Sequence, residues 1–142
     1  MRYSAYGVSE RYELTATRHL NEGDEALFYI TKLGMFCGPW EVNGRGERKP
    51  DHPAVKEWRP AGAFDIIIPL RRKADLGACS IQEVFDRLYF ITNRREWTDH
   101  LQFSIISIRD EDYNTIKGAL SSEGLLNLLG SLLSPRGGTC PL

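Results

Sequence analysis

The side chains best suited to chemistry lie together in the stretch Leu88–His100, whose sequence is LYFITNRREWTDH. An apolar and aromatic run is followed there by Arg94, Arg95 and Trp97. Guanidinium groups bind phosphates, and the face of an indole ring stacks on planar groups. This stretch therefore predicts a binding site for a ligand that is both planar and anionic.

Patterns that would indicate catalysis are missing from the sequence. It contains no P-loop, no glycine-rich dinucleotide fingerprint, no HExxH motif and no paired-cysteine zinc pattern. A triad of Ser104, His100 and Asp99 is disfavoured, because Asp99 and His100 are adjacent and no glycines flank Ser104 as in a nucleophile elbow. The sequence therefore predicts a protein that is not an enzyme and that needs neither a metal nor another cofactor.

The overall charge of the chain gives no argument for binding nucleic acid. Eighteen basic residues balance nineteen acidic ones, so the net charge is −1, and the pI is about 6.3. Any contact with phosphates must therefore come from local basic clusters. Such clusters lie at residues 45–49, 71–73 and 94–95; for each of them, a solvated turn is the alternative interpretation.

Aromatic residues are the second indication of a binding surface. For any one of them, core packing is the competing explanation. Tyr6 differs, because it lies in a polar segment beside Gly7, and Tyr6-Gly7-Val8 predicts a ring presented on a turn. The candidates are Tyr6, Tyr29, Phe36, Trp40, Trp58 and Trp97.

The cysteines and the hydropathy pattern indicate the cellular location of the protein. Three cysteines at wide spacing fit neither a disulfide framework nor a zinc site, and they favour a reducing cytoplasm. No segment approaches the ~18 apolar residues that a membrane span requires. The first residues also lack the apolar core of a signal peptide. We therefore expect a cytoplasmic protein with no membrane partner.

Apolar segments predict four strands. Ala26–Thr31 and Met35–Val42 form the arms of a hairpin around the loop Lys32–Gly34. Ala63–Leu70 is a nearly continuous apolar run of the kind that is buried on both faces. Phe103–Ile108 is the fourth predicted strand.

The helical signals are shorter. Glu10–His19 is expected to form a short helix or an irregular crossing. Ser80 followed by Glu83 is a capping box, which begins a helical turn leading to the LYFITNRREWTDH stretch. Acidic residues 110–112 precede the predicted helix Tyr113–Leu120 and complement its dipole.

The remaining segments complete the predicted fold class. Residues 44–60 contain three prolines and are expected to form a long polar loop. The leucine-rich tail, residues 121–142, predicts a short amphipathic helix that ends at Pro135 and packs either on its own domain or on a partner. Strands interleaved with short helices favour one α+β domain built on a strongly bent sheet or a small barrel.

The order of these motifs resembles the EVE domain, a PUA-like fold related to the YTH and ASCH domains. The resemblance rests on Tyr6-Gly7-Val8, on Gly23-Asp24 before the aromatic strand LFYI, and on the hairpin arm FCGPWEV. It continues with the strand FDIIIPL, the element Asn93–Trp97 and the helix start Glu111-Asp112-Tyr113. On this basis the predicted EVE-like domain spans residues 1–120.

The resemblance implies a binding module rather than an enzyme. Members of the family look like readers that take a modified base out of the stack into an aromatic pocket and hold the backbone with basic side chains. For this chain it implies DNA or RNA as the partner, a methylated or hydroxymethylated base as the ligand, and a separate effector protein for any cutting or signalling. It also implies a PUA-like bent sheet, or small open barrel, with peripheral short helices.

The resemblance also assigns roles to individual residues. Tyr6 would stack on the base, Gly7 and Val8 would form the backbone side of the pocket, and Tyr29 with Thr31 would line it. The predicted ligand-binding residues are Tyr6, Gly7, Val8, Tyr29, Thr31, Trp40 and Trp97. The predicted contacts to the nucleic-acid backbone are Arg71, Arg72, Arg94 and Arg95.

One feature of the family has no counterpart in the sequence. The family has a further strand before its aromatic-Gly-Val turn, whereas this chain starts five residues before Tyr6. Either the gene start is set too far downstream, or another chain or segment supplies that strand. Without it, a small barrel would have an open sheet edge, which favours aggregation or a homodimer. Two alternatives stay open: a PUA-like domain that binds a small ligand or a protein without nucleic-acid specificity, and an enzyme that acts on nucleic acid through His100.

Overall fold

A curled, antiparallel sheet and several short helices make up the computed structural model, which describes residues 5–57, 63–92, 95, 98, 101 and 105–133. The predicted α+β class is therefore confirmed, and the curled sheet is consistent with a small open barrel. The strands are β1 (Ala5–Val8), β2 (Glu25–Ile30), β3 (Met35–Val42), β4 (Glu47–Arg48) and β5 (Ile66–Ser80). The α-helices are α1 (Pro53–Glu57), α2 (Ile81–Val84), α3 (Asp110–Ala119) and α4 (Ser122–Leu133). Single turns of other helix types lie at Glu10–Tyr12, Thr15–His19 and Phe85–Arg87.

Strand β5 organises the sheet, in which the strand order is β1–β5–β3–β2 and β4 also pairs with β5. Tyr6 lies opposite Ile68 in the antiparallel β1–β5 ladder. The prediction that Tyr6-Gly7-Val8 forms a turn is therefore wrong. The buried isoleucines at the start of β5 pair with β1 on one side and β4 on the other, which draws this segment into the sheet.

Two further segments differ from the sequence-based expectation. The strand predicted at Ala63–Leu70 begins instead at Ile66 and continues to Ser80, because backbone pairing carries it through the polar residues 71–75 to the buried residues 77–79. The predicted loop at 44–60 contains β4 and α1. Helix α1 starts at Pro53, a residue well suited to the first turn of a helix.

The strand predicted at Phe103–Ile108 does not form in its described part. Residues 105–108 belong to no strand or helix, and Phe103 and Ser104 lie outside the described residues. Ile106 is 39 % exposed. A β-branched residue favours a strand only where it packs against cross-strand neighbours, and Ile106 faces solvent instead.

The chain divides into two compact units, each built from two segments. The first unit comprises Met1–Ala26 and Trp40–Lys73, and the second comprises Leu27–Pro39 and Ala74–Leu142. Strands β2, β3 and β5 contribute residues to both units.

In the first unit, a small core and a surface ion network hold the elements together. Ala5, Val55 and Ile67 form a buried cluster that joins β1, α1 and β5. On the surface, Arg48 of β4 donates to Asp65 at 2.9 Å and to Glu13 at 3.2 Å. These carboxylates raise the pKa of the Arg48 guanidinium, with the Glu13 hydrogen bond as the largest cause.

In the second unit, a buried carboxylate joins α3 to the segment that precedes Asn93. Asp112, in the first turn of α3, is 0 % exposed. Its Oδ1 accepts from the Tyr89 N–H at 2.6 Å, and its Oδ2 accepts from the Phe90 N–H at 3.1 Å. The helix predicted at Tyr113–Leu120 begins three residues earlier, so the acidic residues 110–112 form its first turn. Asp112 in addition fixes the backbone of residues 89 and 90.

The tail helix α4 packs by one face on the second unit. Ser121 exchanges two backbone hydrogen bonds with Ala78, at 3.0 and 3.1 Å. Leu128 is buried with Ile30 and Ala78. Of the two predicted possibilities, packing on its own domain or on a partner, this face of the helix therefore packs on its own chain. Leu126, Leu129, Leu132 and Leu133 of the same helix are exposed. Among the described residues, no helix is long and apolar enough to cross a membrane.

Replacing Asp112 with Ala should lower the free energy of unfolding by about 3 kcal/mol, because the partly buried N–H groups of Tyr89 and Phe90 both lose their acceptor. Urea denaturation measures the loss. Asp110→Ala is the matched control: this carboxylate lies in the same turn but is exposed, and its removal should cost about 0.5 kcal/mol through the helix dipole alone. Equal losses for the two variants would contradict the anchoring role of Asp112.

Replacing Gly124 with Ala should lower the free energy of unfolding by about 1–3 kcal/mol through overpacking. A Cβ at this position would lie 1.9 Å from the Ala78 carbonyl oxygen, so α4 would have to shift away from β5. Gly130→Ala, in the same helix but in open space, should instead stabilise the protein by up to about 1 kcal/mol. Thermal denaturation of the two variants should give shifts of opposite sign.

Candidate functional site

A cleft of about 540 Å³ opens in the second unit. Its volume falls in the range of about 300–1,000 Å³ that is usual for small-ligand sites. Its walls come from the turn between β2 and β3, from the junction of β5 with α2, and from residues 98 and 101. The lining residues are Tyr29, Thr31, Lys32, Leu33, Gly34, Ser80, Ile81, Gln82, Thr98 and Leu101.

The first wall is a tight turn that Gly34 closes. The Ile30 carbonyl accepts from the N–H groups of Leu33 at 3.1 Å and Gly34 at 2.9 Å. Gly34 has a φ of +61°, a conformation that other residues adopt at a cost because their Cβ crowds the backbone. The turn therefore holds Thr31 and Lys32 in fixed positions at the cleft.

The second wall is the start of α2, which the predicted capping box builds. The Ser80 Oγ accepts from the Gln82 N–H at 3.2 Å, and the Ser80 N–H donates to Glu83 at 2.7 Å. The Ile81 N–H donates to the Gly34 carbonyl at 2.8 Å. This last bond joins the two walls, so that the turn and the helix start keep their separation.

Tyr29 is held against the core by ring packing. Its ring centroid lies 5.0 Å from that of Phe36 at an interplanar angle of 48°, and Phe36 is buried. Burial raises the pKa of the Tyr29 hydroxyl above its ordinary value. The phenol is therefore neutral at physiological pH and offers the cleft one hydrogen-bond donor.

The lining combines apolar surface with uncharged polar groups and one charge. Leucine and isoleucine side chains supply the apolar part. Hydroxyl groups of tyrosine, threonine and serine and the amide of Gln82 supply hydrogen bonds. Lys32 is the one charged side chain among the ten lining residues. The cleft is therefore chemically suited to a planar, polar ligand.

Two of the predicted ligand-binding residues, Tyr29 and Thr31, line this cleft together. Four others belong to the first unit: Tyr6, Gly7 and Val8 on β1, and Trp40 on β3. Trp97 lies outside the described residues. That all seven share one pocket stays a prediction.

In the first unit, the environments of Tyr6 and Trp40 are those of packed side chains. Tyr6 is half-buried, and burial, with a smaller effect of Tyr12, raises the pKa of its hydroxyl. Trp40 is 8 % exposed. Core packing, the competing explanation for any aromatic residue, accounts for Trp40.

The predicted backbone contacts are distributed over both units. Arg71 forms an ion pair with Glu41, and its neighbour Arg72 is exposed; both lie in the first unit. Arg95 is exposed and belongs to the second unit, whereas Arg94 lies outside the described residues. Contact of these side chains with nucleic acid stays a prediction.

Sequence reasoning did not select most of the cleft residues. The sequence places Lys32 in a loop and Ser80 at a helix cap, and the structure confirms both. The capping box was the one signal that could have located Gln82. Its place opposite the β2–β3 turn depends on a hydrogen bond between residues 34 and 81, which no local pattern predicts.

Metal chemistry gains no support from the described residues. No group of three or more His, Cys, Asp or Glu side chains within this part of the chain could hold a metal ion. The nearest cysteine, Cys79, is buried in the core beside Ile81. Burial and, to a smaller extent, the charge of Glu83 raise its pKa to about 11, so the thiol is a poor nucleophile at neutral pH.

Comparison with known proteins gives one informative relative. No protein-family model matches the chain. A UPF0310 protein from Pyrococcus abyssi (strain GE5 / Orsay) is 27 % identical over 127 residues, which cover 82 % of this chain and 87 % of that protein. The name of that protein gives no activity. The curled sheet fits a PUA-like fold.

Replacing Gly34 with Ala should lower the free energy of unfolding by about 1–2 kcal/mol, because the residue must keep a positive φ. Gly34→Asn should cost less, since asparagine adopts this conformation more readily. Chemical denaturation of both variants measures the difference. Equal losses would contradict the role of the backbone conformation, since an added Cβ would be in ordinary van der Waals contact with Ile81, at 3.6 Å.

Proposed function

We propose that this protein is an EVE-like nucleic-acid-binding module that holds a modified base in the cleft of the second unit. The observation that carries the proposal is the position of Tyr29 and Thr31. The family resemblance assigns both residues to the base pocket, and both line one cleft of ligand size. The curled sheet, which fits a PUA-like fold, is consistent with this.

The chemistry of the cleft suits a base turned out of its stack. A flipped base needs a flat apolar surface and hydrogen bonds to its edge. The Tyr29 ring, fixed by Phe36, offers an aromatic surface beside Leu33 and Ile81. The Thr31 hydroxyl and the neutral Tyr29 hydroxyl offer hydrogen bonds, so a methylated or hydroxymethylated base is the ligand we propose.

The remaining predicted residues complete the proposal. Arg72 and Arg95 would contact phosphates without reading sequence. Arg71 would first have to release Glu41. The module would bind rather than react, and a separate effector protein would use the binding event.

Binding assays with oligonucleotides test the proposal. Fluorescence anisotropy at fixed salt should show tighter binding of a methylated or hydroxymethylated strand than of the unmodified one, in DNA or in RNA. Tyr29→Ala should weaken binding of the modified strand about 5- to 150-fold, since stacking is worth about 1–3 kcal/mol per base. Tyr29→Phe, which keeps the ring, should lose only the hydroxyl contribution.

Two controls separate recognition from folding. Leu14→Ala removes a side chain that is 61 % exposed and does not line the cleft, so it should leave affinity unchanged. Thr31→Val keeps the shape of an exposed side chain and should reduce the preference for the modified strand. Undetectable binding of every oligonucleotide would overturn the proposal. Binding of free nucleosides alone would favour the small-ligand alternative.

A further inference from the structure

Lys32 marks a second part of the cleft, which could bind an anion. We propose that Lys32 binds a phosphate attached to the planar ligand, so that the cleft takes a nucleotide rather than a bare heterocycle. The inference rests on the proposed function and adds the substrate class.

The first argument is the absence of a counter-charge at Lys32. Lys32 is exposed and makes no ion pair with any other described residue. By contrast, Lys49 pairs with Glu47 at 3.1 Å, and Lys73 pairs with Glu25. None of the ten residues that line the cleft is acidic. A ligand that brings a negative charge to this cleft is therefore attracted by Lys32. The Glu83 carboxylate, next to the lining residue Gln82, is engaged by the Ser80 N–H at 2.7 Å.

The second argument is that some polar groups beside Lys32 can still donate hydrogen bonds to a ligand. Ser80 and Glu83 are engaged in the capping box, and the Ile81 N–H is engaged with the Gly34 carbonyl. The Gln82 side-chain amide makes no hydrogen bond to another described residue. The amide of Gln82, the Thr31 hydroxyl and the Lys32 ammonium can all donate, and phosphate oxygens accept.

The third argument is the position of Lys32 on a rigid turn. Two hydrogen bonds to the Ile30 carbonyl close this turn, and a third joins Gly34 to α2. The backbone of Lys32 is therefore fixed beside Thr31, which lines the proposed base site. Lysine binds phosphate as a point charge, so its long side chain needs no fixed fork geometry. A base and its own phosphate could thus occupy neighbouring parts of one cleft.

The experiment compares nucleosides with their 5′-monophosphates. Calorimetric titration of the intact chain with cytidine, CMP, adenosine, AMP and inorganic phosphate gives the affinities. We expect each monophosphate to bind about three- to fivefold more tightly than its nucleoside, the factor expected for one exposed charge pair. Lys32→Met should abolish this difference and leave nucleoside affinity unchanged, whereas Lys32→Arg should retain it.

Lys56→Met is the matched control, because Lys56 is an exposed lysine on α1 of the first unit. It should leave the preference for monophosphates intact. The same variants are also tested on the modified oligonucleotide. There Lys32→Met, but not Lys56→Met, should reduce the slope of log affinity against log salt by about 1.

The outcomes separate this inference from the proposed function. If nucleosides and monophosphates bind equally, or if Lys32→Met changes neither the preference nor the salt slope, the Lys32 subsite is wrong, even where modified strands are still preferred. If monophosphates bind through Lys32 but no oligonucleotide binds, the subsite stands as a site for free nucleotides and the proposed function falls. If nucleosides and monophosphates bind too weakly to measure, the salt slope alone decides.

Discussion

The hydrogen bond from the Ile81 amide to the Gly34 carbonyl is the contact on which the candidate site depends. It joins a hairpin turn to the first residue of a short helix across 47 positions of sequence. Both partners are already constrained, Gly34 by its positive φ and Ile81 by burial in the core. The cleft lies where these two constrained positions meet.

A second contact fixes another part of the second unit, the backbone of residues 89 and 90. The buried Asp112 carboxylate accepts two backbone hydrogen bonds from Tyr89 and Phe90, in the segment that leads to Thr98 and Leu101 of the cleft. A buried charge is tolerated where hydrogen bonds replace its hydration. The basic and aromatic stretch that first indicated a binding function is therefore held at its start by a residue of a distant helix.

The hairpin, the capping box and the tail helix could be predicted because each depends on neighbours in sequence. Strand β3 has the predicted bounds, and α2 begins after Ser80 as expected. The wrong predictions concern segments whose secondary structure depends on residues far away in the sequence. Tyr6-Gly7-Val8 is a strand because β5 pairs with it, and residues 105–108 are not a strand although their side chains favour one. The mostly polar residues 71–75 and the buried residues 77–79 both belong to β5, since ladder hydrogen bonds use the backbone.

For the candidate site, the sequence by itself determined the chemistry of individual groups: an aromatic ring at Tyr29, a hydroxyl at Thr31 and a helix start at Ser80. Local rules suffice for these, because ring chemistry and capping act over a few residues. Only the tertiary structure decided that Lys32 and Gln82 share a cleft with Tyr29 and Thr31. Such a grouping follows from contacts between positions far apart in the chain, and the side chains that merely line it carry no pattern of their own.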